Sequence, residues 1–387
     1  MIRALTIFIV FSVLIAHHAI AQDSTGKRRI AVLAPLYLDT LVDANGKPKF
    51  DKTVPTYLLP GLDVVSGLQL AVDSLQKDSI NLDIKLWDIK DKKYHPSLLG
   101  DSVKNIDVLI GYVSLNEAAM WARYAKQWQI PFINLNQPND AGVTGNPYYY
   151  ILNPTLGTHV SNIYKHLQKN HPLQPIVYFK KIGAAEDKLL QFFQQAERST
   201  SGIPLKIKYV TLTDTLSADQ LERYLDSTKN TVCISGSLDL KFGATFAKQL
   251  ASLSKKYKAT LVGMPNWESI DFSRAQYRGI DIVYGLATHF SNDNLAVQYY
   301  QKSIKSKYFV TGSETVLRTF ETVLLTAFEI TQPAYKKSSS LFYAYPSLFG
   351  SIDWAPVKNS KTGATDFIEN KKVVFIKKTD GTTTRLN

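Results

Sequence analysis

Residues 108–135 read VLIGYVSLNEAAMWARYAKQWQIPFINL, and the two ends of this stretch differ in kind from its middle. Val108, Leu109 and Ile110 make an apolar run of strand length that stops at Gly111. Ala118, Trp121, Ala122, Ala125 and Trp128 then recur at three- and four-residue spacings, which places them on one face of a helix. Residues 131–135 return to a short apolar run. Strand, helix and strand in so little chain make an α/β unit, in which a mostly parallel sheet is expected.

Working outward, the same alternation recurs. A strand over 30–33 is followed by a loop through Asn45-Gly46 and Pro55, then by a helix whose stripe is Val64, Leu68, Ala71, Val72 and Leu75. Leu82, Ile84 and Leu86 alternate with Asp83 and Lys85, a strand pattern. Asn153-Pro154 interrupts the order, which then restarts. Leu156, Val160, Ile163, Tyr164 and Leu167 define a helix, 176–179 a strand, Leu189, Phe192, Phe193 and Ala196 a helix, and Leu205, Ile207 and Tyr209 a strand. Ser217 with Gln220 reads as a capping box opening a helix through Leu225. Strand 232–235, helix 242–253 and strand 260–263 complete the repeat. Two such layers imply two lobes with a crossover near 150–155. Helices over 294–304 and 314–330 are expected to pack onto an existing lobe, and the chain ends in a hairpin turning at Thr379-Asp380-Gly381-Thr382. The expected division is 28–150 with 285–331 as lobe 1, and 151–284 with 332–387 as lobe 2.

The first 21 residues carry Arg3, an apolar run from Ala4 to Ala16 and the triplet Ala19-Ile20-Ala21 before Gln22, the pattern of a cleaved secretory signal. A periplasmic or secreted protein, soluble after cleavage, is expected, because no other stretch reads as the roughly 20 apolar residues of a membrane helix. Cys233 is the single cysteine, so stability must come from a core, for which 387 residues at 45% hydrophobic are ample. The net charge of +12 is spread as scattered lysine pairs, and its densest run, 371–378, brackets an apolar strand, so a nucleic-acid partner is not expected. Nothing in the sequence calls for an oligomer, and a monomer is expected.

Parallel sheets bind ligands at the carboxyl ends of their strands, where helix starts and free N–H groups converge. The loops there hold the candidate ligand residues: Tyr57, Tyr112, Ser114, Asn116, Asn134 and Asn136 in the first lobe, and Ser235, Asn266, Trp267 and Glu268 in the second. Ser114 and Asn116 open a helix after a glycine-ended strand and would suit an anionic group, although such residues also cap their own helix. Trp267 with Glu268 would offer an apolar wall and a charge. Enzyme signatures are absent. Residues 33–37 have no glycine for a dinucleotide, and neither a phosphate-binding glycine loop nor a nucleophile elbow occurs. His95, His159, His166, His171 and His289 sit in no metal-ligand motif, and Cys233 lies inside a strand as a core residue. No enzyme activity, cofactor or metal is expected.

The order of these segments resembles the type I periplasmic binding proteins of the branched-chain amino-acid class. It is carried by Arg28-Arg29 entering Ile30-Ala31-Val32-Leu33-Ala34-Pro35-Leu36, by Gly67-Leu68-Gln69-Leu70-Ala71-Val72-Asp73, and by Val108-Leu109-Ile110-Gly111. Ile130-Pro131-Phe132-Ile133-Asn134, Asn146-Pro147-Tyr148 and Leu261-Val262-Gly263-Met264-Pro265 continue it. The resemblance implies two Rossmann-like lobes joined by a three-crossover hinge, closing on a small ligand, an amino acid or related polar solute, and passing it to a membrane permease of an ABC transporter. It implies ligand carboxylate and ammonium contacts at Ser114, Asn116, Asn134 and Asn136. The second lobe departs from the family: Lys180-Lys181-Ile182-Gly183 stands where an Asp and a Tyr-Gly are usual, and the acidic residue maps only loosely to Asn266 or Glu268. That departure keeps open a second reading, an envelope binding or sensory module with the same fold and no transporter.

Overall fold

The computed structural model describes residues 27–386 apart from 42, 44, 46, 48, 51–52, 213–215, 291–293, 309–311, 337–340, 342–346 and 351. The expected leader, residues 1–21, and Gly46 of the expected loop lie outside the described residues.

The first lobe begins with β1 (Arg29–Ala34), α1 (Leu59–Lys77), β2 (Asp83–Asp88), β3 (Val108–Gly111), α2 (Leu115–Trp128), β4 (Phe132–Asn134) and β5 (Tyr149–Ile151). The chain then crosses to α3 (Leu156–Asn170), β6 (Ile176–Lys181), α4 (Ala184–Ser199), β7 (Ile207–Leu212), α5 (Ala218–Glu222), β8 (Thr231–Ser235), α6 (Leu240–Ser252), β9 (Ala259–Val262) and β10 (Asp281–Leu286). It returns through α7 (Leu295–Tyr308), α8 (Glu314–Ile330), β11 (Trp354–Lys358) and β12 (Thr365–Asn370), and ends with β13 (Val374–Thr379) and β14 (Thr382–Leu386).

Two seven-stranded sheets result, one ordered β2-β1-β3-β4-β5-β12-β11 and the other β7-β6-β8-β9-β10-β13-β14. The first five strands of each are mutually parallel and share one order. The connection direction therefore reverses between β1 and β3, and between β6 and β8. A crevice opens at such a reversal because the flanking helices leave to opposite faces. The burial of these strands explains their sequence. Residues 108–111 and 231–235 are buried throughout, which selects unbroken apolar runs over alternation.

Helix α5 has the expected capping box at Ser217 and Gln220 but is only five residues long. The terminal hairpin turns through Asp380 and Gly381, both at positive φ, where glycine is favoured at the second position. The division of the tail differs from expectation: residues 354–370 are not in lobe 2. β12 pairs in parallel with β5, and β11 antiparallel with β12, so both extend the first sheet, and only β13 and β14 join the second. Pro356 and an exposed outer face mark β11 as an edge strand, a weak signal in sequence.

The first lobe is built around two helices in close contact. A Cβ at Gly67 of α1 would stand 2.4 Å from the Val316 carbonyl oxygen and 2.7 Å from Thr319 Cβ, both on α8. Residues 56–77, contrary to the sequence expectation, are long and apolar enough to cross a membrane by length and composition, but half of that window is buried within the lobe. Gly67→Ala is expected to cost roughly 2 kcal/mol, since overpacking a tight helix contact typically costs 1–3 kcal/mol; chemical denaturation checks it, and an unchanged midpoint would contradict the packing.

His159, in the first turn of α3, is buried, with no hydrogen-bond partner for Nδ1 among the described residues. Burial pushes its pKa down to about 4. The folded protein therefore binds fewer protons than the unfolded chain between the ordinary histidine value and that one. Stability from this site is complete above about pH 6.5 and is lost as pH falls toward 4, by on the order of 3 kcal/mol. Melting at pH 7, 6 and 5 should show this fall, and His159→Phe should flatten it; parallel pH profiles for the two proteins would contradict the assignment.

Candidate functional site

Three connections join the lobes, through residues 152–155, 287–294 and 371–373, between elements that belong to different sheets. A side-chain network around one backbone oxygen reaches all three. The Leu152 carbonyl accepts from Arg318 (3.1 Å) and from the Asn370 amide (3.0 Å). Arg318 also donates to Asn153 Oδ1 and to Glu314 (3.2 Å), and Glu314 accepts from Thr288 of the second connection. Glu369, 1% exposed, accepts from the Thr155 N–H (2.6 Å) and pairs with Lys371. Arg318 is itself buried inside α8, where a guanidinium persists only if its charge and donors are met. The sequence carried a signal for this residue: one arginine within the apolar run Val316-Leu317-Arg318-Thr319-Phe320.

A cavity of about 200 Å³ opens beside this node, at the carboxyl ends of β3, β4 and β5. Tyr112, Asn136, Asn153, Glu314, Arg318 and Thr319 line it. Arg318 Nε and Thr319 Oγ1 are buried without a partner among the described residues. Asp63 on α1 accepts from Ser313 (2.7 Å), and burial raises its carboxyl above the usual range. Burial, with the Asp63 charge, also raises the Tyr112 phenol. On the second lobe, loss of solvation and then the Glu314 carboxylate raise Glu268, whose side chain sits at the exposed lip.

The residues singled out from sequence separate into three groups. Tyr112 and Asn136 line the cavity. Asn136 does so with its amide already committed, Oδ1 accepting from the Val113 N–H (2.9 Å) and Nδ2 donating to the Val113 carbonyl (2.9 Å). Tyr57 is exposed on the lobe-1 lip with its ring edge against Tyr37, centroids 5.2 Å apart, and Asn116 is exposed on the first turn of α2. Asn134, Ser235 and Trp267 are buried in the lobes instead. Asn134 donates to Tyr149 Oη (2.9 Å) and accepts from the Gln137 N–H (3.0 Å), which makes it a turn brace. Trp267 is fully buried, its indole filling the space left by Gly243 and Gly263, so it is core and not a cleft wall. Ser235 ends β8 with its hydroxyl buried and unpartnered among the described residues, and Asn266 donates to the Leu238 carbonyl (2.6 Å).

Ser114 caps α2, as its spacing allowed. Its hydroxyl accepts from the Glu117 N–H (3.4 Å), while Glu117 Oε2 accepts from the Ser114 N–H (2.8 Å) and Oε1 pairs with Lys90 (2.7 Å). Despite burial, these bonds hold the Glu117 carboxyl below its ordinary value. Cys233 is fully buried, its thiol pushed up to about 12, which removes thiolate chemistry at neutral pH.

Removing the guanidinium at the node would take from the Leu152 carbonyl one of its two donors and from Glu314 its cation. Arg318→Met is expected to cost about 2 kcal/mol, within the typical range for losing hydrogen bonds made by a charged group, because the Glu314 it leaves behind is half-exposed, and to raise amide exchange at residues 152–155 and 369–372. Unaltered exchange there would show that the connections are held elsewhere.

No protein-family model and no curated protein sequence matches the chain. Solved structures do. A putative branched-chain amino acid ABC transporter protein from Rhodospirillum rubrum matches with a TM-score of 0.65 at 10% identity, over 93% of this chain and 100% of that one. A branched chain amino acid ABC transporter periplasmic ligand-binding protein from Burkholderia xenovorans matches at 0.56 and 12% identity, over 93% and 95%. LpoA from Haemophilus influenzae matches at 0.53 and 14% identity, over 95% of this chain and 60% of that one. The architecture of mirrored sheets and three crossovers is thus the type I periplasmic binding protein fold, shared with ABC transporter substrate-binding proteins of the branched-chain amino acid class.

Proposed function

We propose that the chain is an exported, non-enzymatic receptor that closes on a small polar solute between its lobes and delivers it to an ABC permease. The observation that carries this reading is the pair of sheets with the same strand order, linked by three connections that one side-chain network around the Leu152 carbonyl reaches. A hinge of this kind lets the lobes move as bodies while the binding surfaces stay rigid. A ligand touching both lobes stabilises the closed form only by its extra affinity for that form. The cavity beside Arg318, with Tyr112 and Asn136 on lobe 1 and Glu268 on the facing lip, is where such a ligand would lodge. The amino-acid reading has less support, because Asn134 and the Ser114 N–H are both committed within the chain.

A second reading is an envelope binding module without a transporter. Leu38, Tyr57, Leu59 and Leu115 on one lip, and Ile182 and Leu238 on the other, are exposed, an apolar content suited to a larger partner. A thermal-shift screen of the purified protein against amino acids, short peptides, sugars and nucleosides separates the two. A native-state ligand raises the melting temperature with the logarithm of its concentration. The receptor reading expects at least one solute to do so, and loss of the shift in Tyr112→Ala; a screen without any shift would favour the envelope module.

A further inference from the structure

In parallel α/β lobes, the N–H groups at helix starts beside the strand reversal are the usual place for a ligand's negative charge. Here several of those donors already hold carboxylates of the chain itself. In lobe 1, Asp88, 2% exposed, accepts from the Leu36 N–H (3.0 Å) and the Leu38 N–H (2.9 Å) after β1. After β3, Glu117 takes the Ser114 N–H and is neutralised by Lys90. In lobe 2, Asp239 takes the Lys241 N–H (2.9 Å) and the Phe242 N–H (3.3 Å) at the start of α6, and Lys181 from the end of β6 pairs with it at 2.6 Å. The helix that follows each second strand of the reversal, α2 and α6, thus carries its own acid and a lysine from a neighbouring strand or the loop after it.

We propose that the Ser114 N–H and the start of α6 are closed to ligand anions because the chain supplies its own carboxylates there, so that its ligand meets these two surfaces through neutral or cationic groups. The proposal rests on the cleft being the ligand site and deepens that reading by naming the charge class of the ligand groups at these two surfaces. Each internal pair is charge-assisted and pre-ordered, so an incoming carboxylate would have to displace a carboxylate already bound and compensated. Glu117 and Asp239 are on this account specificity-determining residues.

Acetate is a probe that needs no knowledge of the natural ligand. Its titration into the isotope-labelled protein, at ionic strength held constant with chloride, is followed through backbone amide resonances. In the wild type, the amides of Ser114, Lys241 and Phe242 should not titrate. In Glu117→Ala, the Ser114 amide should acquire a saturable acetate shift, and in Asp239→Ala, those of Lys241 and Phe242 should do so. Each variant serves if the other fails to fold. Saturable binding at these amides in the wild type, or no gain in either folded variant, would overturn the proposal. Either of those results leaves the receptor reading standing, because that reading fails only when no solute of any charge stabilises the protein.

Discussion

The Leu152 carbonyl is the point on which the architecture turns. Two donors from different parts of the chain, Arg318 and Asn370, converge on it, and through Asn153, Glu314 and Thr288 the same network reaches every connection between the lobes. A buried guanidinium is costly to desolvate, and its worth lies in fixing geometry more than in adding stability. Here that geometry is the junction of two otherwise separate cores, one made of residues such as Phe179, Phe193 and Phe246, the other of Val32, Ile110 and Phe320. Glu369 bonding the Thr155 N–H adds a second tie on the same short span. On the proposed receptor reading, motion of the lobes is confined to these few residues.

Rigid sheets aligned in this way bring two strand reversals to the same gap, and the chemistry of that gap is mostly internal. Asp88, Glu117 and Asp239 meet backbone donors, and Lys90 and Lys181 balance two of them. The groups left to meet a ligand are the Tyr112 phenol, the Asn136 and Asn153 amides, the Glu314 carboxylate and Arg318, together with exposed leucines on the lips. This combination suits a solute recognised by hydrogen bonds and apolar contact.

Much of this was legible in the sequence, and the reason is burial. Strands covered on both faces demand unbroken apolar runs, and helices on a sheet demand a stripe, so β3, α2, α1 and α3 could be read residue by residue. The Ser217 capping box, and a cap at Ser114, were legible because they are local. Long-range pairing was not. Arg318 lies 166 positions from its carbonyl, Lys181 lies 58 from Asp239, and Lys90 lies 27 from Glu117. Trp267 looked like a pocket wall because its hole is made by Gly243 and Gly263, whose cooperation only the folded lobe reveals. β12 escaped notice because a parallel partner more than two hundred positions away, β5, is what defines it.

The central claim is that the two lobes close on a solute about this hinge. Spin labels placed at the opposing lips, through Leu115→Cys and Leu238→Cys, report the lobe separation directly by electron–electron dipolar spectroscopy, since the one native thiol, Cys233, is fully buried. The account predicts a broad or long distance in buffer that shortens and narrows when a solute that raises the melting temperature is bound. One distance distribution, unchanged with every solute that raises the melting temperature, would contradict closure and with it the receptor mechanism.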